Sequence, residues 1–548
     1  LDLLFWAYRT YSLKEHRSNL MRVLLVNPFY PISETPSPPL GLAYLAAALE
    51  EAGIEVRVLD LVVTPHSEDL LAECLDEFRP ELVGLTAVTM NVDNALAVVA
   101  DVKRLAPQVF TLMGGPHVTF SASETLSACP ALDAVALGEG ERTIVELSRA
   151  VEAGTGLDSV KGIAWRAGDG IRFTPGRDFI RDLDTLPMPA RRLLPLGRYR
   201  ALGMPISMTT SRGCPHQCIF CVGRRMVGAR VRFHSPARVV DELAYLATLG
   251  FHQVNLADDL FTADPHRCAA VCDEIVRRGL SIQWTSFARV DTVSKEILAK
   301  MKAAGCTAVS FGIESGNAGI LKTIKKRITL EQVVAAVDMC SQAGVTPFAS
   351  FILGLPGETP ETLAETIAFG KRLESKGLVY GFHILAPFPG TEVRERCRDL
   401  DLRILTDDWS RYHANRAVTE TETVTRQMLD EIAVEWEDRF NRYLGDIKVR
   451  MQNGKAGADE AHQLTNLERI VLIYDLMMKT VIEQAGTWPV SEETKAAGYL
   501  NALIRRVDAA THHGKERIRD ALEAAARQGS LECEQAKGII RWKWRDYL

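Results

Sequence analysis

From Met21 onward, short apolar runs alternate with segments of helical period. Residues 23–27, 55–61, 82–87, 111–114 and 134–137 read as strands, and 41–52, 67–78, 94–105 and 141–153 as helices. Apolar β-rich runs separated by helices predict a parallel, doubly wound sheet, which binds ligands at the carboxyl ends of its strands. A second series follows, with strands at 205–210, 253–257, 282–287, 308–313, 346–353 and 379–385, each leading into a helical pattern. Six such units predict a partial (β/α)6, TIM-like barrel whose site again lies at the strand ends. The fold class is therefore α/β: a Rossmann-like domain over 21–154, a connector over 155–205, the barrel over 206–400 and a mostly helical C-terminal domain over 401–548. In that last domain 425–443, 464–483, 491–511 and 515–547 read as helices, and the aromatic, basic stretch 539–547 as a docked C-terminal helix. Residues 1–20 read as an N-terminal extension whose apolar part is too short to span a bilayer.

Composition narrows the function classes. A net charge of −6 over 548 residues gives no global basic field, so no nucleic-acid partner is expected. No window holds 18 uninterrupted apolar residues, so no integral membrane segment is expected either. Eleven cysteines, an odd number without a paired framework, fit a reducing cytoplasm.

Three of those cysteines carry the most chemistry. Cys214, Cys218 and Cys221 stand in a C-x3-C-x2-C run on a short loop after the first barrel strand. Three thiolates hold three irons of a [4Fe-4S] cube and leave the fourth open, whereas a cluster for electron transfer alone normally takes four cysteines. A zinc site would need a fourth ligand, and His216, between two of the cysteines, would strain a tetrahedron. Cys268 and Cys272, spaced i, i+4 on one helix face, read as buried thiols.

The triad, with the aromatic Phe220 just before its last cysteine, resembles the radical S-adenosylmethionine (SAM) enzymes. Upstream, the loops at 27–31 and 36–41, Thr86 to Asn91, Gly114-Gly-Pro-His-Val118 and Gly138-Glu-Gly-Glu141 together resemble the cobalamin-binding domain of the B12-dependent radical SAM family, class B methyltransferases in particular. The resemblance implies three cofactors: a [4Fe-4S] cluster on the three cysteines, SAM chelating its open iron, and cobalamin. It implies that Thr86, Thr89, Asn91, Gly114, Gly115, Pro116, His117, Gly138, Glu139 and Gly140 contact cobalamin. On the barrel side it implies that Asp258 or Asp259 faces the SAM amino group, Arg289 its carboxylate and Glu314 its ribose, with backbone near Gly354 and Pro387 on the adenine. A structural ion pair with Asp291 is the competing reading of Arg289. Many cobalamin proteins ligate cobalt through Asp-x-His-x-x-Gly, which this domain lacks; the nearest match, Asp264 to Ala269, reads as a helix start and His117 as a local hydrogen-bonding residue.

The activity implied is methyl transfer from methylcobalamin to an unactivated carbon, or another weakly nucleophilic centre, of a small-molecule or biosynthetic-intermediate substrate, after a 5'-deoxyadenosyl radical removes a hydrogen. An external electron donor of flavodoxin or ferredoxin type is implied with it. Oxidative ring closure on a tetrapyrrole or a ring rearrangement is the enzymatic alternative, and a non-catalytic cobalamin sensor or carrier the alternative of another class. Methylthiotransferases need an N-terminal three-cysteine set, which Cys74 and Cys129 cannot supply.

Overall fold

The computed structural model describes residues 20–30, 36–168, 170–490 and 498–548. The expected N-terminal extension (but for its last residue), the end of the 27–31 loop and the start of the 491–511 segment lie outside the described residues.

The first domain is built on β1 (Arg22–Asn27), β2 (Glu55–Asp60), β3 (Leu82–Thr86), β4 (Phe110–Gly114) and β5 (Ala134–Ala136), parallel and in the order β2-β1-β3-β4-β5. Alternate side chains of β1 explain the two covered faces. Val23 and Leu25 pack on the helices Leu40–Glu51 and Glu141–Glu152, while Leu24 and Val26 pack on Glu68–Phe78 and Val92–Leu105. The order reverses between β1 and β3, the switch point at which such sheets open a crevice beyond their carboxyl ends.

The stretch 155–205 is more than a connector. It adds β6 (Ile163–Ala167) and β7 (Gly170–Phe173) to the first sheet, antiparallel to β5 and to each other, with Ile163, Ala164 and Trp165 buried. Its helix Leu196–Leu202 buries Tyr199, whose hydroxyl donates to Asp60 at 2.7 Å. Short strands broken by glycines left no clear period to read.

The barrel follows the expected series. After β8 (Ile206–Met208), a small antiparallel pair, β9 (Ser211–Arg212) and β10 (Arg232–Phe233), brackets the cysteine loop. Then come β11 (Gln253–Leu256), β12 (Gln283–Ala288), β13 (Cys306–Glu314), β14 (Thr346–Leu353) and β15 (Val379–Ile384). The parallel order β15-β14-β13-β12-β11-β8 leaves the barrel open between its outer strands. On β12 and β14 Trp284, Ala288 and Phe351 pack in the core shared with the surrounding helices, so by the twofold period Phe287 and Phe348, both exposed, face the lumen.

Beyond a two-strand ribbon, β16 (Arg403–Ile404) with β17 (Thr419–Glu420), lie the helices Arg426–Gln452, Ala458–Met478, Tyr499–Ala510 and Lys515–Arg527. The expected all-helical ending is corrected. Residues 515–547 are one helix followed by a hairpin, β19 (Leu531–Ala536) and β20 (Ile539–Trp544), with β18 (Thr487–Pro489) completing an antiparallel sheet. Burial of Ile540, Trp542 and Trp544 beside exposed Arg541 and Lys543 is a strand's period of two.

Candidate active site

The cysteine loop is held at both ends by backbone bonds. Cys214 N–H donates to the Gly228 carbonyl at 3.0 Å, Ile219 N–H to Ile324 O at 3.2 Å, and Val393 N–H to Ile219 O at 3.0 Å. All three thiols are free, and burial pushes each of them up, Cys221 to about 11. Lys326 and Arg289 pull Cys214 and Cys218 the other way. Among the described residues no three His, Cys, Asp or Glu side chains are disposed around a single metal ion. Three thiols on one loop suit a cubane, whose three thiolates each bind a different iron. The donor set therefore fits a [4Fe-4S] cluster, whose binding would displace the three thiol protons.

On the barrel side the structure divides the residues that sequence reasoning grouped. Asp258 is removed from the SAM site: its carboxylate is buried and accepts from both backbone N–H groups and both hydroxyls of Thr210 and Ser211, at 2.5 to 3.1 Å. It fixes the turn from β8 into the cysteine loop. Asp259 instead faces an open cavity, and burial raises its carboxyl. Arg289 is bound by Asp291 through two bonds of 2.9 Å and by the Lys326 carbonyl at 3.0 Å, so the ion-pair reading is what the structure has. Glu314, at a left-handed φ of 72°, pairs with Lys326 at 2.7 Å rather than standing free for a ribose. Lys326, missed in the sequence, also lies 5.9 Å from the Phe220 ring centroid, within reach of a cation–π contact. Gly354 N–H donates to buried Glu358 at 2.7 Å, and the Pro387 carbonyl accepts from Arg394 at 3.2 Å. Glu358 is pushed up to about 7 by burial.

Asp258 gives a direct test. Asp258→Ala would strand four donors in the interior, at about 1–3 kcal/mol for each buried group left unpaired. Iron content after reconstitution and the melting temperature should both fall, with Asp258→Asn intermediate because it keeps one acceptor oxygen. Unchanged iron loading in the alanine variant would remove this role.

In the first domain the predicted cobalamin residues form the end of the sheet. Thr86, Gly114, Gly115, Gly138, Glu139 and Gly140 line a cavity of about 460 Å³, shared with Thr209, Ser211, Arg212, Met226 and Asp259 of the barrel. The strand ends of the two sheets thus face each other across one space. Leu25, Leu45, Leu112 and Ile144 make its deep walls apolar. Thr89 and Asn91 shape the loop after β3: Asn91 Oδ1 accepts from Val88 N–H at 2.9 Å, and Thr89 Oγ1 bonds His117 Nδ1 at 3.2 Å. His117, behind the Pro116 that opens its helix, is buried with its ring edge-on to Trp409 at 5.0 Å. Burial first and Arg394 second lower its pKa to about 4, which keeps it neutral and locally engaged.

Glu139 does not stand free for cofactor. It accepts from Arg212 at 3.2 Å, Arg232 at 2.8 Å and Ile180 N–H at 2.8 Å, and neighbouring Glu141 accepts from Arg212 at 2.6 Å. This buried network joins the two domains beside the cysteine loop. The sequence signal for it was the Gly138-Glu-Gly-Glu141 run, whose arginine partners lie about seventy residues away or more.

A doubly wound domain with an apolar, glycine-edged crevice, set against an open barrel carrying three cysteines, is the architecture of a cobalamin-dependent radical SAM enzyme. Residues 33–148 match the family model of the B12 binding domain, and residues 208–370 that of the radical SAM superfamily. An uncharacterized methyltransferase of Pyrococcus horikoshii is 36% identical over 421 residues, 75% of this chain and 91% of that protein. The anaerobic magnesium-protoporphyrin IX monomethyl ester cyclase of Rubrivivax gelatinosus is 29% identical over 551 residues, 95% of this chain and 96% of that one. The cobalamin-dependent SAM radical enzyme OxsB has the same fold at a TM-score of 0.67 and 18% identity, covering 94% of this chain and 81% of its own. This chain belongs to the B12-binding radical SAM family, and its cofactors are cobalamin, a [4Fe-4S] cluster and SAM. No described helix is long and apolar enough to cross a membrane.

Proposed function

We propose that this enzyme moves a methyl group from methylcobalamin to an unactivated carbon, or another weakly nucleophilic centre, of a small-molecule substrate. The observation that carries the reading is the shared cavity: Thr86, Gly114 and Gly138 of one domain and Ser211, Arg212 and Asp259 of the other line the same space. A substrate can be attacked at one cofactor and methylated at the other only if both reach it in near-contact geometry. When bound, the cluster with SAM supplies a hydrogen-abstracting radical and cobalamin supplies the methyl group. The cofactors carry the hard chemistry, so the chain's task is to orient and enclose.

Cys214, Cys218 and Cys221 hold the cluster, with Lys326 and Arg289 as the positive charges beside it. Asp259, the one of the two aspartates on the open cavity, meets the SAM ammonium, and the backbone near Gly354 and Pro387 packs on the adenine. Phe287 and Phe348 give the lumen apolar surface for SAM or substrate. Trp409, against His117, brings the C-terminal region to the cobalamin loops. The electron is supplied by an external flavodoxin or ferredoxin.

The Rubrivivax relative, a cyclase aligned over 95% of this chain, keeps oxidative ring closure as a second reading. Anaerobic incubation of the reconstituted enzyme with SAM, cobalamin, reductant and candidate substrates separates the two. Methyl transfer should yield S-adenosylhomocysteine together with 5'-deoxyadenosine. 5'-Deoxyadenosine alone would favour ring chemistry, and failure to cleave SAM at all would favour a carrier or sensor.

A further inference from the structure

We infer that the basic rim around the cysteine loop, formed by Arg224, Arg230, Lys322 and Arg327, is the docking face for an acidic one-electron carrier protein of the flavodoxin type. The inference rests on the functional reading above and adds to it the place where the electron arrives.

Charge is unevenly spread along this chain. Against a net charge of −6 overall, the stretch between Asp184 and Asp241, which contains the three cysteines, carries ten arginines and no acidic residue. The stretch between Glu314 and Glu331 repeats the pattern, with Lys322, Lys325, Lys326 and Arg327 and no acid. The fold joins the two at the loop. Ile219 N–H, between Cys218 and Cys221, donates to the carbonyl of Ile324, between Lys322 and Arg327, at 3.2 Å. Arg224 donates to the Pro215 carbonyl at 2.7 Å, and the Arg230 carbonyl packs so closely on Gly213 that a Cβ there would lie 2.3 Å from it. Pro215 and Gln217 of the loop are exposed, as are Arg230, Lys322 and Arg327.

The neighbouring cations are matched: Lys326 by Glu314, Lys325 by Glu392 and Arg225 by Glu395. Arg224, Arg230, Lys322 and Arg327 pair with no carboxylate among the described residues. Unopposed charges of one sign, held together by the backbone, make a local field that steers the opposite sign toward them. The position then selects the partner. An electron crosses protein only over a short distance, so its donor must rest against the loop that holds the cluster. A nucleic acid would match the charge and bring no electron, whereas an acidic carrier brings both. One electron leaves the carrier's reduced flavin and enters the cluster, and no bond forms or breaks in the exchange.

The test uses the full chain under anaerobic conditions. Flavodoxin is titrated onto the metal-free and the reconstituted protein at low and at physiological salt, and SAM cleavage is driven either by reduced flavodoxin or by dithionite, which needs no docking face. Lys322→Glu/Arg327→Glu should weaken flavodoxin binding about tenfold or more and slow flavodoxin-driven cleavage to match, while wild-type affinity falls as salt rises. Dithionite-driven cleavage should keep the wild-type rate. Lys515→Glu/Lys537→Glu, which changes the net charge equally on the C-terminal helix and hairpin, should bind flavodoxin like wild type. Lys322→Glu alone should move in the same direction as the first pair, and it serves as the readout if that pair does not fold. Equal losses in both double variants, unchanged binding in the first, or a wild type that dithionite reduces and flavodoxin neither binds nor reduces would overturn the docking face and leave the methyl-transfer reading standing. A wild type that cleaves no SAM with dithionite either would overturn that reading, and this one with it.

Discussion

Protein in which Cys214, Cys218 and Cys221 are all replaced by alanine should emerge from anaerobic reconstitution without a cubane, whereas the wild type should hold about four irons and four sulfides. The reason lies in the donor set. The three thiols stand on one loop, and replacing all of them removes every thiolate that loop offers the irons. Cys268, Cys272, Cys306 and Cys340 offer no rescue, because they are buried in the barrel core. The fold itself should survive. The loop is anchored by backbone bonds at Cys214 N–H, Ile219 N–H and Ile219 O, none of which needs a thiol, and by Asp258 beneath it. The melting temperature of the metal-free variant should therefore match that of metal-free wild type, while the SAM-sensitive EPR signal of the reduced cluster disappears. Cobalamin binding should persist, since the corrinoid crevice draws most of its walls from the first domain. A variant that still assembled a normal cluster would refute the assignment.

The parts of this architecture that were legible in the sequence are those written in local pattern. Six apolar runs became six parallel strands, because a strand buried against helices needs little beyond its own residues to declare itself. The cysteine triad is likewise a local signal. What stayed hidden depends on partners distant in the chain. Asp258 and Asp259 are adjacent, yet one binds the turn at Thr210 and the other lines the cavity, a choice set by strand pleat and by a loop almost fifty residues earlier. Glu314 looked like a ribose ligand, but the chain after β13 brings Lys326 to it, whereas the Arg289–Asp291 pair was one of the two readings open from the sequence. The C-terminal hairpin was missed for a different reason: its short, charged and aromatic strands resemble one side of a helix unless the period of two at Ile540, Trp542 and Trp544 is counted.

The glycine pair after β4 yields the second large effect, and the structure changes the reason for it. The sequence reading takes Gly114 and Gly115 together as cobalamin contacts. The two differ sharply. A Cβ at Gly114 would meet nothing closer than the Ala136 Cβ at 3.9 Å. At Gly115 it would lie 2.6 Å from the Ala87 carbonyl oxygen and 2.9 Å from the Ala87 nitrogen, on a residue with φ of +105°. That φ alone is costly for any residue with a side chain, and the colliding atoms are backbone, which cannot rotate away. The relief available is to push Ala87 off β4, breaking the bonds Ala87 N–H makes to Gly114 O at 2.9 Å and Ala87 O accepts from His117 N–H at 3.3 Å. Ala87 belongs to the loop from Thr86 to Asn91, so the strain is discharged into the wall of the cobalamin site. Gly115→Ala should therefore weaken cobalamin binding about tenfold to a hundredfold, the equivalent of the strain such a residue stores, and leave iron loading untouched. Gly114→Ala should bind cobalamin close to wild type. Titration of each variant by corrin absorbance, with iron measured on the same sample, reads both outcomes. If Gly115→Ala bound cobalamin as tightly as Gly114→Ala, the close approach of the two loops would not be what shapes the site.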